Sequence, residues 1–208
     1  MPATVGVLGL QGGVREHREL LERVGARVVL VRAASDLAGP DGFRVDALVL
    51  PGGESSTIDK LLRMFGLFEP LGAAIRSGVP TLATCAGLVL AARQIIDPAP
   101  GQQSLGVLDV AVRRNALGPQ VDSMETELAT TRGRIRAAFI RAPVVTAVGA
   151  GVEVIARIGT QVVGVSTPTI TGVAFHPELT GDATFHRHLV RAASGEAGAR
   201  GRGAVLSG

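Results

Sequence analysis

An α/β fold, in three layers with a mostly parallel central sheet, helices on both faces and antiparallel additions, is predicted by three features of the chain. Short runs such as Thr4–Leu10 and Ala47–Leu50 are apolar on both faces, as strands in the centre of a parallel sheet are. These runs alternate with segments of helical period, the pattern of parallel strands joined by right-handed crossovers. From about Leu105 the pattern changes to closely spaced β-like runs, which extend such a sheet with antiparallel strands.

Taken in order, Thr4–Leu10 is a first strand and Gln11-Gly12-Gly13 turns the chain. Val14, Leu20, Leu21 and Val24 then recur at helical spacing, and Gly25 is the stop. Ala26–Val31 is a second strand, residues 33–44 a loop with little more than one helical turn, and Ala47–Leu50 a third strand. Pro51-Gly52-Gly53-Glu54-Ser55-Ser56-Thr57 leads into a helix with Ile58, Leu61, Leu62 and Phe65 on one side. Adjacent glycines at a strand's carboxyl end let backbone approach a ligand closely, at the edge where ligands of open α/β sheets gather. The Gly-Lys-Ser/Thr ending of a P-loop is absent. A helix over Phe68–Ser77 precedes the strand Val79–Thr84 and a second helix after Cys85. Later runs are Gly106–Val112, Ile135–Ile140, Val152–Ile158, Val162–Ser166 and Ile170–Phe175, and the polar stretch 113–131 reads as a long loop. A final helix carries Phe185, Leu189 and Val190. The domain is expected to end at residue 191, with 192–208 a disordered Gly/Ala/Arg tail.

Composition narrows the function. With 208 residues, 46% of them apolar, the chain can bury one sizeable core. No run is long and apolar enough for a membrane span, and the N-terminus enters a strand directly, so no secretion signal is read. A single cysteine excludes an internal disulfide and a multi-cysteine zinc site, in keeping with a cytoplasmic location. The calculated pI of about 10.3 misleads, because Lys60 is the only lysine and tyrosine is absent. The formal charge is only +3, with 3% aromatics, so no nucleic-acid surface is read. Neither a cofactor nor a metal site is expected.

Cys85 sits between an apolar strand and a helix rich in small residues, the kind of turn on which α/β esterases carry their nucleophile. Its small neighbours Ala83, Ala86 and Gly87 suit a tight turn, and the helix's first amides and dipole favour an anion there. A buried cysteine filling a core gap satisfies the same local pattern. His176 and Glu178, separated by Pro177, supply a second signal. Proline holds the preceding residue extended, and residues two apart in an extended segment share a side. The carboxylate can then orient the imidazole. Together these residues offer a nucleophile, a base and an orienter, with an oxyanion hole from Ala86 and the Gly52-Gly53 turn. Chemistry alone reads this as a cysteine amidase or protease. His17, His186 and His188 lie on expected helices and are read as solvated.

The chain resembles the triad-type (class I) glutamine amidotransferases, and within them the glutaminase subunits of pyridoxal 5′-phosphate synthase. The resemblance rests on Gly9–His17, on Leu50–Thr57, on Thr84-Cys85-Ala86-Gly87 and on Arg114–Ser123. Phe139-Ile140-Arg141-Ala142-Pro143 and Phe175-His176-Pro177-Glu178-Leu179-Thr180 complete it, so it spans roughly the first 190 residues. The cysteine turn and His-Pro-Glu are general to the superfamily; the other runs belong to this branch. Ala83, where glycine is usual, and Pro119, where arginine is usual, depart from the pattern. The resemblance implies hydrolysis of L-glutamine, with the ammonia passed to a barrel-shaped synthase subunit. It implies Cys85, His176 and Glu178 as the triad, and Gly53, Glu54, Ser55, Arg114, Ile140 and Arg141 as glutamine contacts. It also makes Gln11, Gly12, Arg15, Glu16 and His17 candidates for contact with the synthase. A glutaminase serving another synthase, or a cysteine-dependent protease-like hydrolase on a similar sheet, are the alternative readings.

Overall fold

The computed structural model describes residues 1–40, 42–117 and 123–195. The expected parallel strands are β1 (Thr4–Leu8), β2 (Arg27–Val31), β5 (Ala47–Leu50) and β6 (Thr81–Thr84), and β14 (Ile170–Val173), expected among the antiparallel additions, instead pairs parallel with β6. They lie side by side in the order β14-β6-β5-β1-β2, each pair parallel. Beyond β14 the sheet continues antiparallel through β13 (Gln161–Ser166), β12 (Glu153–Ile158), β9 (Ser123–Thr130) and β10 (Gly133–Ile140). A branch of β7 (Ala92–Ile96), β8 (Leu108–Arg113) and β11 (Val144–Val148) joins at β13.

Helices cover both faces. On one, α1 (Val14–Arg23) packs against α6 (Thr184–Ala193) over the parallel strands. On the other lie α3 (Ser55–Met64), α4 (Phe68–Arg76) and α5 (Ala86–Ala91). A one-turn helix α2 (Ala34–Leu37) and the short pair β3 (Ala38–Gly39) and β4 (Gly42–Phe43) fill the expected loop. Val5, Val7, Val49 and Leu50 are fully buried or nearly so, as strands sandwiched between helix layers require.

Four further expectations are corrected. Residues 123–130 form a strand rather than loop, hairpin-paired with β10; its inward face carries two threonines beside Met124 and Leu128, so no continuous apolar alternation marked it. The run after Cys85 is helical for six residues only, and β7 follows immediately. Val144–Val148 is a strand that was not anticipated. Helix α6 runs through Ala193, past the expected domain end; the tail beyond 195, Pro119 and part of the Arg114–Ser123 motif lie outside the described residues. Among the described residues, no helix is long and apolar enough to cross a membrane.

Two packing details set up the carboxyl edge of the sheet. Phe175 is fully buried between Phe139 of β10 and Phe185 of α6, with ring centroids 5.5 Å and 5.8 Å away, which fixes the backbone just before His176. At Gly87 a Cβ would run into the backbone carbonyl of Leu50, so α5 lies closer to β5 than any larger residue permits.

Candidate active site

Cys85 follows β6, and its amide donates to the Val173 carbonyl of the adjacent strand at 2.8 Å. At the N-terminus of α5 the residue adopts φ 47° and ψ −103°, a left-handed conformation costly for a side chain with a Cβ. Three of the four non-glycine residues at positive φ among those described, Cys85, Asn115 and Arg141, line one cavity. Strain gathered at one place in a fold marks a site held for use rather than for stability.

His176 arrives from the neighbouring strand. Thr84 is paired with Val173, so the chain ends of β6 and β14 leave the sheet side by side. The His176 amide donates to Ala138 of β10 at 2.7 Å, and its Nδ1–H donates to Glu178 Oε1, also at 2.7 Å. This second bond leaves Nε2 free of Glu178, on a ring that lines the same cavity as Cys85. Burial disfavours charge on His176, but hydrogen bonds and charge from Cys85 and Glu178 outweigh it and raise its pKa to about 10. Burial likewise disfavours the Glu178 carboxylate, yet His17 and His176 together hold its pKa well below the usual range. The three residues are 7%, 8% and 5% exposed, which keeps water from competing for these bonds.

The cavity above them measures about 660 Å³, within the range of small-molecule sites. Of the expected site residues, Gly52, Gly53, Ala86, Glu54, Ser55, Arg114, Ile140 and Arg141 all line it. The Gly52-Gly53 turn is gripped from the other side: the Gly13 amide donates to the Gly52 carbonyl at 3.1 Å, and the Glu54 amide to Gln11 Oε1 at 3.0 Å. Gly12, at φ 101°, has no room for a Cβ against that same carbonyl.

Arg114 is not a free clamp. Its Nη2 donates to Glu54 Oε1 at 3.0 Å and its Nη1 to Gln102 Oε1 at 2.8 Å, while Gln102 donates to Ser55 Oγ at 2.9 Å. Glu54 also caps α3, accepting from the Thr57 amide at 2.7 Å. Partial burial opposes its charge, but the Ser56 and Thr57 donors prevail and its pKa is lowered to about 2. The result is an anchored carboxylate at the cavity wall, and Gln102, which no motif singled out, is part of what anchors it.

Among the expected synthase contacts, Gln11, Gly12 and Glu16 line the cavity mouth and Arg15 is well exposed. His17 is not a surface residue: it and His186 are fully buried, which corrects the reading of both as solvated. Only His188 is exposed. Position 17 shares its helix face with Leu20, Leu21 and Val24, so its placement on the apolar stripe was the signal available in the sequence. Gly13, Val89, Asn115, Pro143 and Leu179 also line the cavity and were not anticipated.

Comparison with solved structures gives the class. A crystal structure described as a glutamine amidotransferase matches with a TM-score of 0.83 at 42% identity, covering 91% of this chain and 98% of that one. The fold is therefore that of the class I glutamine amidotransferases. Within that class, the chain belongs to the SNO glutamine amidotransferase family, whose model matches residues 7–194. Among its relatives are pyridoxal 5′-phosphate synthase subunits PdxT. The one from Acidothermus cellulolyticus is 48% identical, covering 93% of this chain and 95% of its own; that from Cutibacterium acnes is 49% identical, covering 94% and 100%.

Proposed function

We propose that the chain hydrolyses L-glutamine to glutamate and ammonia, and serves as the glutaminase subunit of a pyridoxal 5′-phosphate synthase. The observation that carries this reading is that Cys85, on a strained turn, and the His176–Glu178 pair from a neighbouring strand end line one cavity, inside a family of glutamine amidotransferases. Relatives of nearly equal length, about half identical, that are named as subunits of this synthase support the second part.

In the proposed reaction the Cys85 sulfur attacks the side-chain amide carbon of glutamine, forming a C–S bond and an oxyanion. The Ala86 amide and the Gly52-Gly53 turn stabilise that oxygen. A protonated imidazole beside the sulfur is the partner a thiolate needs, and His176 gives its proton to the leaving nitrogen as the C–N bond breaks. Water then attacks the thioester, His176 takes its proton, and glutamate leaves with the thiol restored. Glu178 keeps the imidazole oriented and stabilises its positive form throughout. The anionic Glu54 suits the α-ammonium of glutamine, and Arg114, tied to Glu54 and Gln102, holds it in place. Ammonia passes to a barrel-shaped synthase subunit, which docks beside the cavity mouth, where Ile140 and Leu179 are exposed.

Ammonia release from glutamine by wild type and Cys85→Ala, each with and without the synthase subunit, tests the reading. Release is expected from wild type alone and is faster with the synthase. An alanine variant as active as wild type would overturn it, whereas activation by a different synthase would move the chain to another pathway.

A further inference from the structure

Behind the triad lies a second polar cluster that the reaction above does not use. Glu178 Oε1 is taken by His176, while its Oε2 is buried without a close hydrogen-bond partner. The atom facing Oε2 is Nε2 of His17, 3.4 Å away. That same Nε2 is 3.1 Å from Oγ1 of Thr84, the residue before Cys85, and Nδ1 of His17 is 2.8 Å from Nε2 of His186. His17 and His186 are each completely buried. We infer that His17 is a positioning residue of this glutaminase, holding the second oxygen of Glu178 from behind and tying it to the strand that carries the nucleophile. The inference rests on the function proposed above and adds a fourth side chain to its machinery.

Only one distribution of protons leaves no buried N–H without an acceptor. His17 carries its proton on Nε2, donating to Thr84 Oγ1 with Glu178 Oε2 facing it 3.4 Å away, and accepts at Nδ1 from the Nε2–H of His186. The unpartnered Nδ1 of His186 is then a bare lone pair. The opposite tautomers would set a lone pair of His17 against the carboxylate and bury an orphaned N–H on His186. Burial and the neighbouring His17 lower the pKa of His186 to about 3, so it has a single proton to place. The chain from the sulfur thus runs Cys85, His176, Glu178, His17, His186, linking a strand end to helices on one face of the sheet. Filling core volume would be done better by leucine, since each buried imidazole costs desolvation that only its bonds recover.

Around Glu178 the titratable groups are His176 on its own segment, Cys85 on the elbow, Glu16 and His17 on α1, and His186 on α6. Loss of His17 removes the only ring N–H that faces the buried Oε2 of Glu178, leaving that oxygen with nothing to offset its burial.

Two substitutions of the full chain, assayed in the complex with the synthase, separate positioning from packing. In His17→Gln the terminal amide reaches the place of Nε2 and still presents an N–H to Oε2 of Glu178. In His17→Asn it reaches only the level of Nδ1, keeping the His186 contact and losing Glu178. Outer partners that orient a metal-bound histidine are typically worth 10–100-fold in activity, and a comparable factor is expected for orienting Glu178. His17→Asn is expected to lower kcat by about that factor with KM nearly unchanged, while His17→Gln stays within about threefold of wild type. The acid limb of the kcat/KM profile moves to higher pH in the asparagine variant only, because Glu178 there protonates more readily. Equal loss in both variants, or an unmoved acid limb with wild-type kcat in His17→Asn, overturns the positioning role and leaves the glutaminase reading intact. A wild-type complex that releases no ammonia overturns both. A measurement independent of variant folding is the imidazole ¹⁵N spectrum of the wild-type complex: His17 and His186 are both expected as Nε2–H tautomers, and an Nδ1–H tautomer at His17 refutes the arrangement.

Discussion

Gly52→Ala tests how tightly the glycine turn and the imidazole are fitted to each other. A Cβ built at Gly52 lies 2.8 Å from Nδ1 of His176, closer still to Cε1, and 3.3 Å from Cβ of Cys85. Ordinary contact begins near 3.4 Å, so Nδ1 must retreat by at least 3.4 − 2.8 = 0.6 Å, and Cε1 by more. The ring cannot retreat freely, because Nδ1 is bonded to Glu178 and the backbone before it is wedged by Phe175. A displacement approaching 1 Å between reacting groups costs on the order of 100-fold in rate, or about 2.7 kcal/mol of transition-state stabilisation. Steady-state ammonia release by the complex reads this directly, and the rate of Cys85 alkylation by a glutamine-like electrophile reads whether the thiol's partner has moved. A Gly52→Ala enzyme with kcat within about threefold of wild type would refute the geometric argument, because a misplaced base cannot give undiminished catalysis.

Two further expectations follow from the polar network. Arg114→Lys replaces a guanidinium that bonds Glu54 and Gln102 at once with a single point donor, so glutamine KM should rise about tenfold with a smaller change in kcat; the full steady-state curve checks it. Stability should also depend on pH through the buried histidines, with opposite signs. His186 is depressed from 6.5 to about 3, so the unfolded chain binds its proton first; stability is intact above pH 6.5 and falls as the pH drops toward 3. At pH 5 that loss is about 2 kcal/mol relative to neutral, from 1.36 kcal/mol per pH unit. His176 is raised to about 10, so its contribution is complete below 6.5 and disappears as pH rises through 10. Glu178, depressed, contributes above its ordinary carboxylate range and loses that contribution as pH falls. Urea midpoints from pH 4 to 10 should therefore form a dome whose acid side is shallower in His186→Phe. A wild-type acid limb in that variant would show that His186 is not the group responsible.

How much could be read in advance depended on whether a feature is local. The strands β1, β2, β5 and β6 announced themselves because a strand buried on both faces must be apolar throughout. The turn carrying Cys85 was legible because Ala83, Ala86 and Gly87 keep it small between a buried apolar strand and an apolar helix, and the structure gives the reason for one of them: the Leu50 carbonyl leaves no space at Gly87. His176 and Glu178 were legible as a pair, since Pro177 restricts the backbone between them. Strand β9 was not, because Glu125 and Glu127 are exposed and its inward face, Met124, Thr126, Leu128 and Thr130, is half polar and mostly only half-buried, too weak an alternation to read.

Sequence by itself determined the alternation of elements, the single sulfur on its turn and the orienting pair two residues apart, because each is set by neighbours along the chain. Tertiary structure alone decided that the ends of β6 and β14 leave the sheet together, that Arg114 is already bound to Glu54, and that two histidines stand behind Glu178. Those facts depend on what faces a residue across space. His17 and His186 fall on the apolar sides of their helices, yet both were read as solvated, because only the packing of α1 on α6 supplies the partners that let an imidazole be buried there.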